Sequence, residues 1–333
     1  MHRRSFFRLG VPAAVAMAVS FSANGLAAST QKKSPLRPLN KGSRLRVVNA
    51  GTWLDPETDF GPLVERCEAE GWILEVPESV KRQWKWFSGT DQQRADDLER
   101  AWNNPSLDGL IYVGAGWGGA RVLEAGFRFP HRPLWTLGFS DTSSMLMAQW
   151  SAGLRGAIHG STAGPDQQWE RTVDLLKGQP VAPLQGRSVR AGVVRGPLVV
   201  TNLTVATHLI GTPWFPDLRG SILVLEDVGE APYRVDRMLT QWRSSGVLRG
   251  LAGVATGRFS WKGEVEPGDF SMDGILEERL SDLGIPMLMN LPLGHGLPNM
   301  ALPLGATATL DANQRTLQLT PDRMPLSSHK KGG

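Results

Sequence analysis

Cysteine is almost missing from this chain: Cys67 is the single one among 333 residues. No intramolecular disulfide can form, so an oxidising destination adds no covalent staple and stability has to come from packing. Histidine is sparse too, with six residues scattered along the sequence. No two of them have His-x-x-x-His spacing or a cysteine partner, so a metal centre is not expected. After the N-terminal apolar stretch, no segment reaches the run of about 20 residues that a bilayer span requires. Charge is nearly balanced, at 36 basic against 32 acidic side chains, and that balance gives no argument for nucleic acid as a partner. There is no internal repeat.

What is present begins at the N-terminus. His2-Arg3-Arg4-Ser5-Phe6-Phe7-Arg8 precedes an apolar stretch from Leu9 to Phe21 and the small residues Ala27-Ala28, the pattern of a signal peptide. Paired arginines followed by two phenylalanines point to the twin-arginine route, which exports folded proteins. We therefore expect a leader over 1–28, an extracytoplasmic destination such as the periplasm, and no stable membrane insertion. Without Arg3, Arg4 and Arg8 the basic count falls from 36 to 33 against 32 acids, a net charge of +1. Lys32, Lys33, Arg37, Lys41, Arg44 and Arg46 crowd the region that follows, and 29–42 reads as a solvated basic linker able to touch an anionic wall or membrane weakly. About 300 residues remain, which makes two domains the default.

The first half alternates strand and helix patterns. Arg44 to Ala50, Trp72 to Val76, Leu110 to Val113 and Pro133 to Gly138 read as strands. Phe60 to Gly71, Asp91 to Trp102, about Ala120 to Phe127, and a segment carrying Met145, Leu146 and Ala148 read as helices. Such alternation implies a mostly parallel sheet covered on both faces. The polar, Gly- and Pro-containing stretch 161–186, with a helix over Asp166 to Leu176, is taken as the connection between domains spanning 43–160 and 187–322. In the second half Val189 to Val194, Ser221 to Leu225, Leu251 to Gly257, Pro286 to Leu291 and Thr307 to Leu310 are strand candidates. Tyr233 to Trp242 is an amphipathic helix, and 323–333 is expected to be a disordered tail.

Three places offer chemistry. Ser140 sits in Gly138-Phe139-Ser140-Asp141, where a strand turns sharply into a helix and presents a side chain at the sheet's carboxyl edge, as a nucleophile elbow does. The backbone N–H of Asp141 would then face the oxyanion with help from the helix N-terminus, and Gly116 of the neighbouring glycine-rich turn is the candidate second donor. A plain capping Ser-Asp pair would give the same local pattern. Glu226 ends the apolar run Ser221 to Leu225, at the kind of strand end where open α/β folds place functional groups and also helix caps. His295 stands between Gly294 and Gly296, and His159 and His208 compete with it as a base. Gly114-Ala115-Gly116-Trp117-Gly118-Gly119 also matches a dinucleotide fingerprint, with Asp141 about 20 residues on. Against that reading, the turn does not follow the first strand and its helix is short, so no cofactor is expected.

Taken together, these blocks resemble the serine-type LD-carboxypeptidases (muramoyltetrapeptide carboxypeptidases), with the microcin C self-immunity peptidases as a branch. The resemblance is carried by Phe87-Ser88-Gly89-Thr90-Asp91 through Leu98, the glycine-rich turn, Gly138 to Thr142, Leu209 to Pro213, Leu225 to Leu239, and Gly294-His295-Gly296 with Asn299 and Leu302 to Gly305. It implies a Rossmann-like N-terminal domain, a smaller C-terminal α/β domain and an active site in the cleft between them. It further implies Ser140 as nucleophile, Glu226 as acid and His295 as base, a muropeptide substrate that loses a terminal D-Ala, and a homodimer. Where the family turn reads Arg-Gly-Gly-Tyr-Gly, this chain has Gly114 to Gly118, without the arginine. An exopeptidase must pair the terminal carboxylate of its substrate, so Arg121 or Arg237 is the candidate for that task. Arg237 has a structural alternative, as a partner of Asp236 or Asp227.

Overall fold

Short apolar strands buried on both faces need helices above and below them, and the first half of the chain is built that way. The structure, a computed structural model, describes residues 36–265 and 268–320. The leader, the beginning of the basic linker and the tail lie outside the described residues. Strands β1 (Arg44–Asn49), β2 (Ile73–Glu75), β3 (Gly109–Val113), β4 (Trp135–Gly138) and β5 (Ala157–His159) are parallel, in the order β5-β4-β3-β1-β2. Connections run outward in opposite directions from β1 and β3, so the carboxyl ends of these neighbours flank a topological switch point.

The period-2 alternation of side chains divides this sheet between two apolar clusters. Val48, Leu110 and Tyr112 pack with α2 (Asp91–Asn103), α3 (Gly119–Glu124) and α4 (Ser143–Ser151). Val47, Ile111, Leu137 and Ile158 pack with α1 (Gly61–Ala69) and α5 (Asp166–Leu176). Helix α5 lies in the stretch read as a connection, yet Trp169, Val173, Leu175 and Leu176 are buried in the second cluster.

The second sheet is mixed. Its strands are β6 (Leu184–Gln185), β7 (Arg187–Arg190), β8 (Val193–Asn202), β9 (Ile222–Val228), β10 (Gly253–Ser260), β11 (Met287–Met289), β13 (Thr307–Asp311) and β14 (Thr316–Leu319), in the order β6-β14-β13-β8-β9-β10-β11-β7. Strands β8 to β11 are parallel, and the remaining pairings are antiparallel. The expected strand Val189 to Val194 is corrected: those residues end β7, turn at Gly192 (φ 135°) and begin β8. Strand β8 was hidden because Gly196-Pro197 punctuates its apolar run. The break is tolerated because the strand changes partner there, with Val193 to Pro197 pairing β13 and Leu198 to Asn202 pairing β9.

Strands β5, β6 and β14 have no counterpart in the sequence pattern, nor do α6 (Leu203–Thr207), α8 (Met272–Ser281) and β12 (Leu302–Pro303). The last joins the edge of the first sheet, antiparallel to β5, with Leu302 opposite His159. A C-terminal segment therefore completes the N-terminal sheet. Helix α7 (Pro232–Ser245) fills out the second half, and its Trp242 is fully buried, stacks edge-on with Phe215 at 5.5 Å and donates its indole N–H to Thr207 Oγ1 at 2.8 Å. Trp242→Ala leaves a large void and removes the donor to Thr207 Oγ1, whose own hydroxyl still donates to the Leu203 carbonyl at 2.7 Å. It is expected to lower stability by about 3–5 kcal/mol, read as a reduced midpoint in urea unfolding.

Candidate active site

Strand β4 stops at Gly138, Phe139 stays extended, and Ser140 takes φ 59°, in the left-handed region, before the chain turns into α4. A side chain other than glycine is disfavoured there by about 1–3 kcal/mol and persists only where its surroundings hold it. Thr142 does the holding: its Oγ1 accepts the Phe139 N–H at 2.7 Å and its hydroxyl donates to the Phe139 carbonyl at 2.8 Å. Gly138 must be glycine, because a Cβ would lie 2.5 Å from Thr142 Oγ1. The result is a strained turn with the serine hydroxyl at its apex.

Glu226 and His295 reach that hydroxyl from the second half of the chain. Glu226 lies in β9 next to Asn202, the last residue of β8, and is fully buried. Its Oε2 accepts from His295 Nδ1 at 2.8 Å and from the His295 backbone N–H at 3.2 Å. Its Oε1 accepts from Asn202 Nδ2 at 3.1 Å. With Nδ1 protonated toward the carboxylate, His295 Nε2 is left to accept the Ser140 hydroxyl, 3.1 Å away. The His295 loop is braced from the first half: Asn299 accepts the Gly294 N–H at 2.9 Å, and the Asn299 N–H donates to Gln168 of α5 at 2.7 Å.

The glycine-rich turn stands beside the serine. Gly114, Gly116 and Gly118 all have positive φ, a path closed to most residues with side chains. Asp141 is buried and accepts the Gly119 N–H at 2.8 Å, which ties the serine turn to the start of α3. Burial pushes its carboxyl above the ordinary range, against the pull of the Gly119 and Gly118 amides and of Arg94. Arg94, fully buried, sits beneath the turn and donates to the carbonyls of Ala50, Gly118 and Gly89. Gly116 lies in the exposed part of the turn against Thr52, whose hydroxyl accepts the Trp117 N–H at 3.3 Å.

The remaining candidates are placed as follows. His208 is exposed on the C-terminal cap of α6, edge-on to Trp117 at 6.1 Å, and is not hydrogen-bonded to Ser140. His159 is fully buried, with Nε2 3.9 Å from Glu226 Oε1 and its ring edge-on to Phe139 at 5.2 Å. Burial pulls its pKa down to about 4, outweighing the Glu226 carboxylate. Arg121 pairs with Asp91 at 2.6 Å and lies over the Phe87 ring at 5.1 Å. Arg237 is exposed over the Tyr233 ring, while Asp236 pairs with Arg279 and Asp227 is held by Thr204 and Val228. Burial raises the Asp227 carboxyl to about 6. Arg94, Gln168 and Asp227 escaped sequence reasoning as supports of the site. The one local signal lay with Asn202 and Asp227, polar residues at strand carboxyl ends.

Residues 46–160 match the LD-carboxypeptidase N-terminal domain and residues 195–310 the C-terminal domain of the same family. A Synechocystis sp. protein whose name assigns it provisionally to the carboxypeptidases is 42% identical over 84% of this chain and 95% of its own. The murein tetrapeptide carboxypeptidase of Pseudomonas aeruginosa is 32% identical over 75% of this chain and 88% of its own. Among solved structures, muramoyltetrapeptide carboxypeptidase from Oxalobacter formigenes superposes with TM-score 0.75 at 26% identity, covering 83% of this chain and 98% of that one. The microcin C7 self-immunity protein MccF matches with TM-score 0.75 at 19% identity, over 85% of this chain and 97% of its own, a likeness of fold.

The buried His159 has a consequence for stability. The unfolded chain takes up a proton at the ordinary histidine value of 6.5, the folded chain only at about 4. Between those values the unfolded state binds more protons, so stability falls as pH falls. Removing the titrating ring removes this contribution. Wild type is therefore expected to lose stability relative to His159→Asn as pH drops through that window, and urea midpoints of both proteins across it provide the check.

Proposed function

The chain belongs to the LD-carboxypeptidase family, and from that premise we propose that it is a serine carboxypeptidase releasing the terminal D-Ala of peptidoglycan-derived peptides. The observation that carries this reading is the hydrogen-bonded line Ser140–His295–Glu226, assembled from two sheets. A hydroxyl is a poor nucleophile until a base takes its proton, and this line provides a base whose other nitrogen is oriented by a carboxylate. A binding protein has no need of such an alignment.

In the proposed reaction Ser140 Oγ attacks the carbonyl carbon of the L,D-amide while its proton passes to His295 Nε2. The buried Glu226 carboxylate stabilises the imidazolium across the Nδ1 hydrogen bond. Negative charge builds on the carbonyl oxygen, where the N–H of Asp141, next after the nucleophile, and that of Gly116 are the assigned donors. Collapse of the tetrahedral intermediate breaks the C–N bond, and His295 returns the proton to the departing amine. Water activated by His295 then cleaves the acyl-Ser140 ester. No step in this scheme calls for a metal or an organic cofactor. We place the reaction outside the cytoplasm on the strength of the twin-arginine leader, and a homodimer remains part of the proposal by family likeness.

The test is incubation of the mature protein with a panel of muropeptides and mass analysis of the products. A tetrapeptide is expected to lose the mass of one D-Ala. Ser140→Ala and His295→Ala are each expected to reduce kcat by about 10⁴-fold or more, and the Ser140→Ala protein is expected to retain its unfolding midpoint. Undiminished turnover by a folded Ser140→Ala protein would remove the acyl-enzyme mechanism.

A further inference from the structure

Strand β10 pairs in parallel with β9, and the register slips beside Glu226: Thr256 faces Leu225, and the next pairing is Phe259 with Asp227. Gly257 and Arg258 therefore stand opposite the single residue Glu226. An extra residue in a strand re-aims a side chain that would otherwise continue the alternation. The bulge is held in place: Arg258 N–H donates to the Leu293 carbonyl at 2.8 Å, and a Cβ on Gly257 would lie 2.5 Å from Leu293 Cδ1. It turns the Arg258 guanidinium onto the loop that carries His295. A Cβ added to Gly296 would lie 2.8 Å from Arg258 Nη1 and 3.1 Å from Cζ.

Among the described residues this guanidinium meets no carboxylate. Nη2 makes one long bond, 3.3 Å, to the Leu297 carbonyl. Nη1 is buried without any hydrogen-bond partner. A buried cationic donor left unsatisfied is costly, and a guanidinium offers adjacent N–H groups in the geometry of a carboxylate. The other two arginines considered for this task are placed differently, Arg121 on Asp91 and Arg237 over Tyr233.

We infer that Arg258 is the residue that reads a carboxylate of the substrate, the free α-carboxylate of the peptide's terminal residue. The inference rests on the carboxypeptidase reading above. It makes Arg258 a specificity-determining residue and gives the chain its own replacement for the arginine that its glycine-rich turn lacks. Gly296 lies against Nη1 and the Leu297 carbonyl against Nη2, so seating the anion requires these two residues to shift off the guanidinium while His295 keeps its bonds to Glu226. Glycines at 294 and 296, with φ 101° and 127°, provide the backbone freedom.

The test separates binding from turnover. In a Ser140→Ala background, calorimetric titration compares a wall tetrapeptide with its C-terminal amide. The free acid is expected to bind more tightly than the amide. Arg258→Gln is expected to weaken binding of the acid on the order of 30-fold or more, by the usual effect of breaking a buried charge pair, while binding of the amide stays within a few-fold and reports an intact fold. Arg258→Lys, keeping the charge without the fork, is expected to fall between the two. Equal affinity for acid and amide, an acid preference that survives Arg258→Gln, or no measurable binding of the acid would each overturn the assignment. Hydrolysis of muropeptides by the wild type is measured separately, so Arg258 can fail while the carboxypeptidase reading stands.

Discussion

The fully buried carboxylate of Glu226 is the constraint around which the molecule is arranged. A charge taken out of water survives only with donors on every side. Here they come from three places: the His295 ring, the His295 backbone and Asn202 at the end of the neighbouring strand. The first two pull a loop inward over β9, and the ring they orient is the one that meets Ser140. Supplying donors to one acid thus also brings base and nucleophile together.

Around this carboxylate the two halves of the chain are interlocked. Leu302 and Pro303 extend the first sheet beside His159, Gln168 of α5 braces Asn299, and Arg171 of the same helix donates to the Ala301 carbonyl at 2.9 Å. The loop between β11 and β12 is therefore anchored on its β12 side, a few residues beyond His295. Precision of a few tenths of an ångström at a hydrogen-bonded triad needs support of this kind. The strained φ of Ser140 is held likewise, by Thr142 on one side and the Asp141 to Gly119 bond on the other.

Glycine has a concrete part in this assembly. The end of β1 and the glycine-rich turn approach so closely that a Cβ on Gly51 would collide with the Gly114 carbonyl. Arg94 fills the space beneath them and donates to the carbonyls of Ala50, Gly118 and Gly89. Its helix opens with Thr90 and Gln93, each side chain capping the other's backbone N–H, at 3.2 Å and 2.9 Å. The family-like block Phe87 to Leu98 thus acts as a scaffold for the turn and not as part of the chemistry.

Local pattern was enough for the alternation of strand and helix through β4 and α4, for the sharp turn at Ser140 and for the bounds of the helix Asp166 to Leu176, because these depend on side-chain periodicity and turn chemistry within a few residues. It marked Ser140, Glu226 and His295 as candidates, with His159 and His208 competing as the base, and only the resemblance of the surrounding blocks assigned them roles. Sequence alone did not reveal β8 across Gly196-Pro197 and did not show that Leu302 and Pro303 belong to the first sheet. It could not show that Arg121 is committed to Asp91, or that a bulge turns Arg258 toward Gly296. Those outcomes depend on partners up to 155 residues apart, as Ser140 and His295 are. Burial, ion pairing and strand register are set only when distant segments meet, so the tertiary structure alone decided which polar groups face the site.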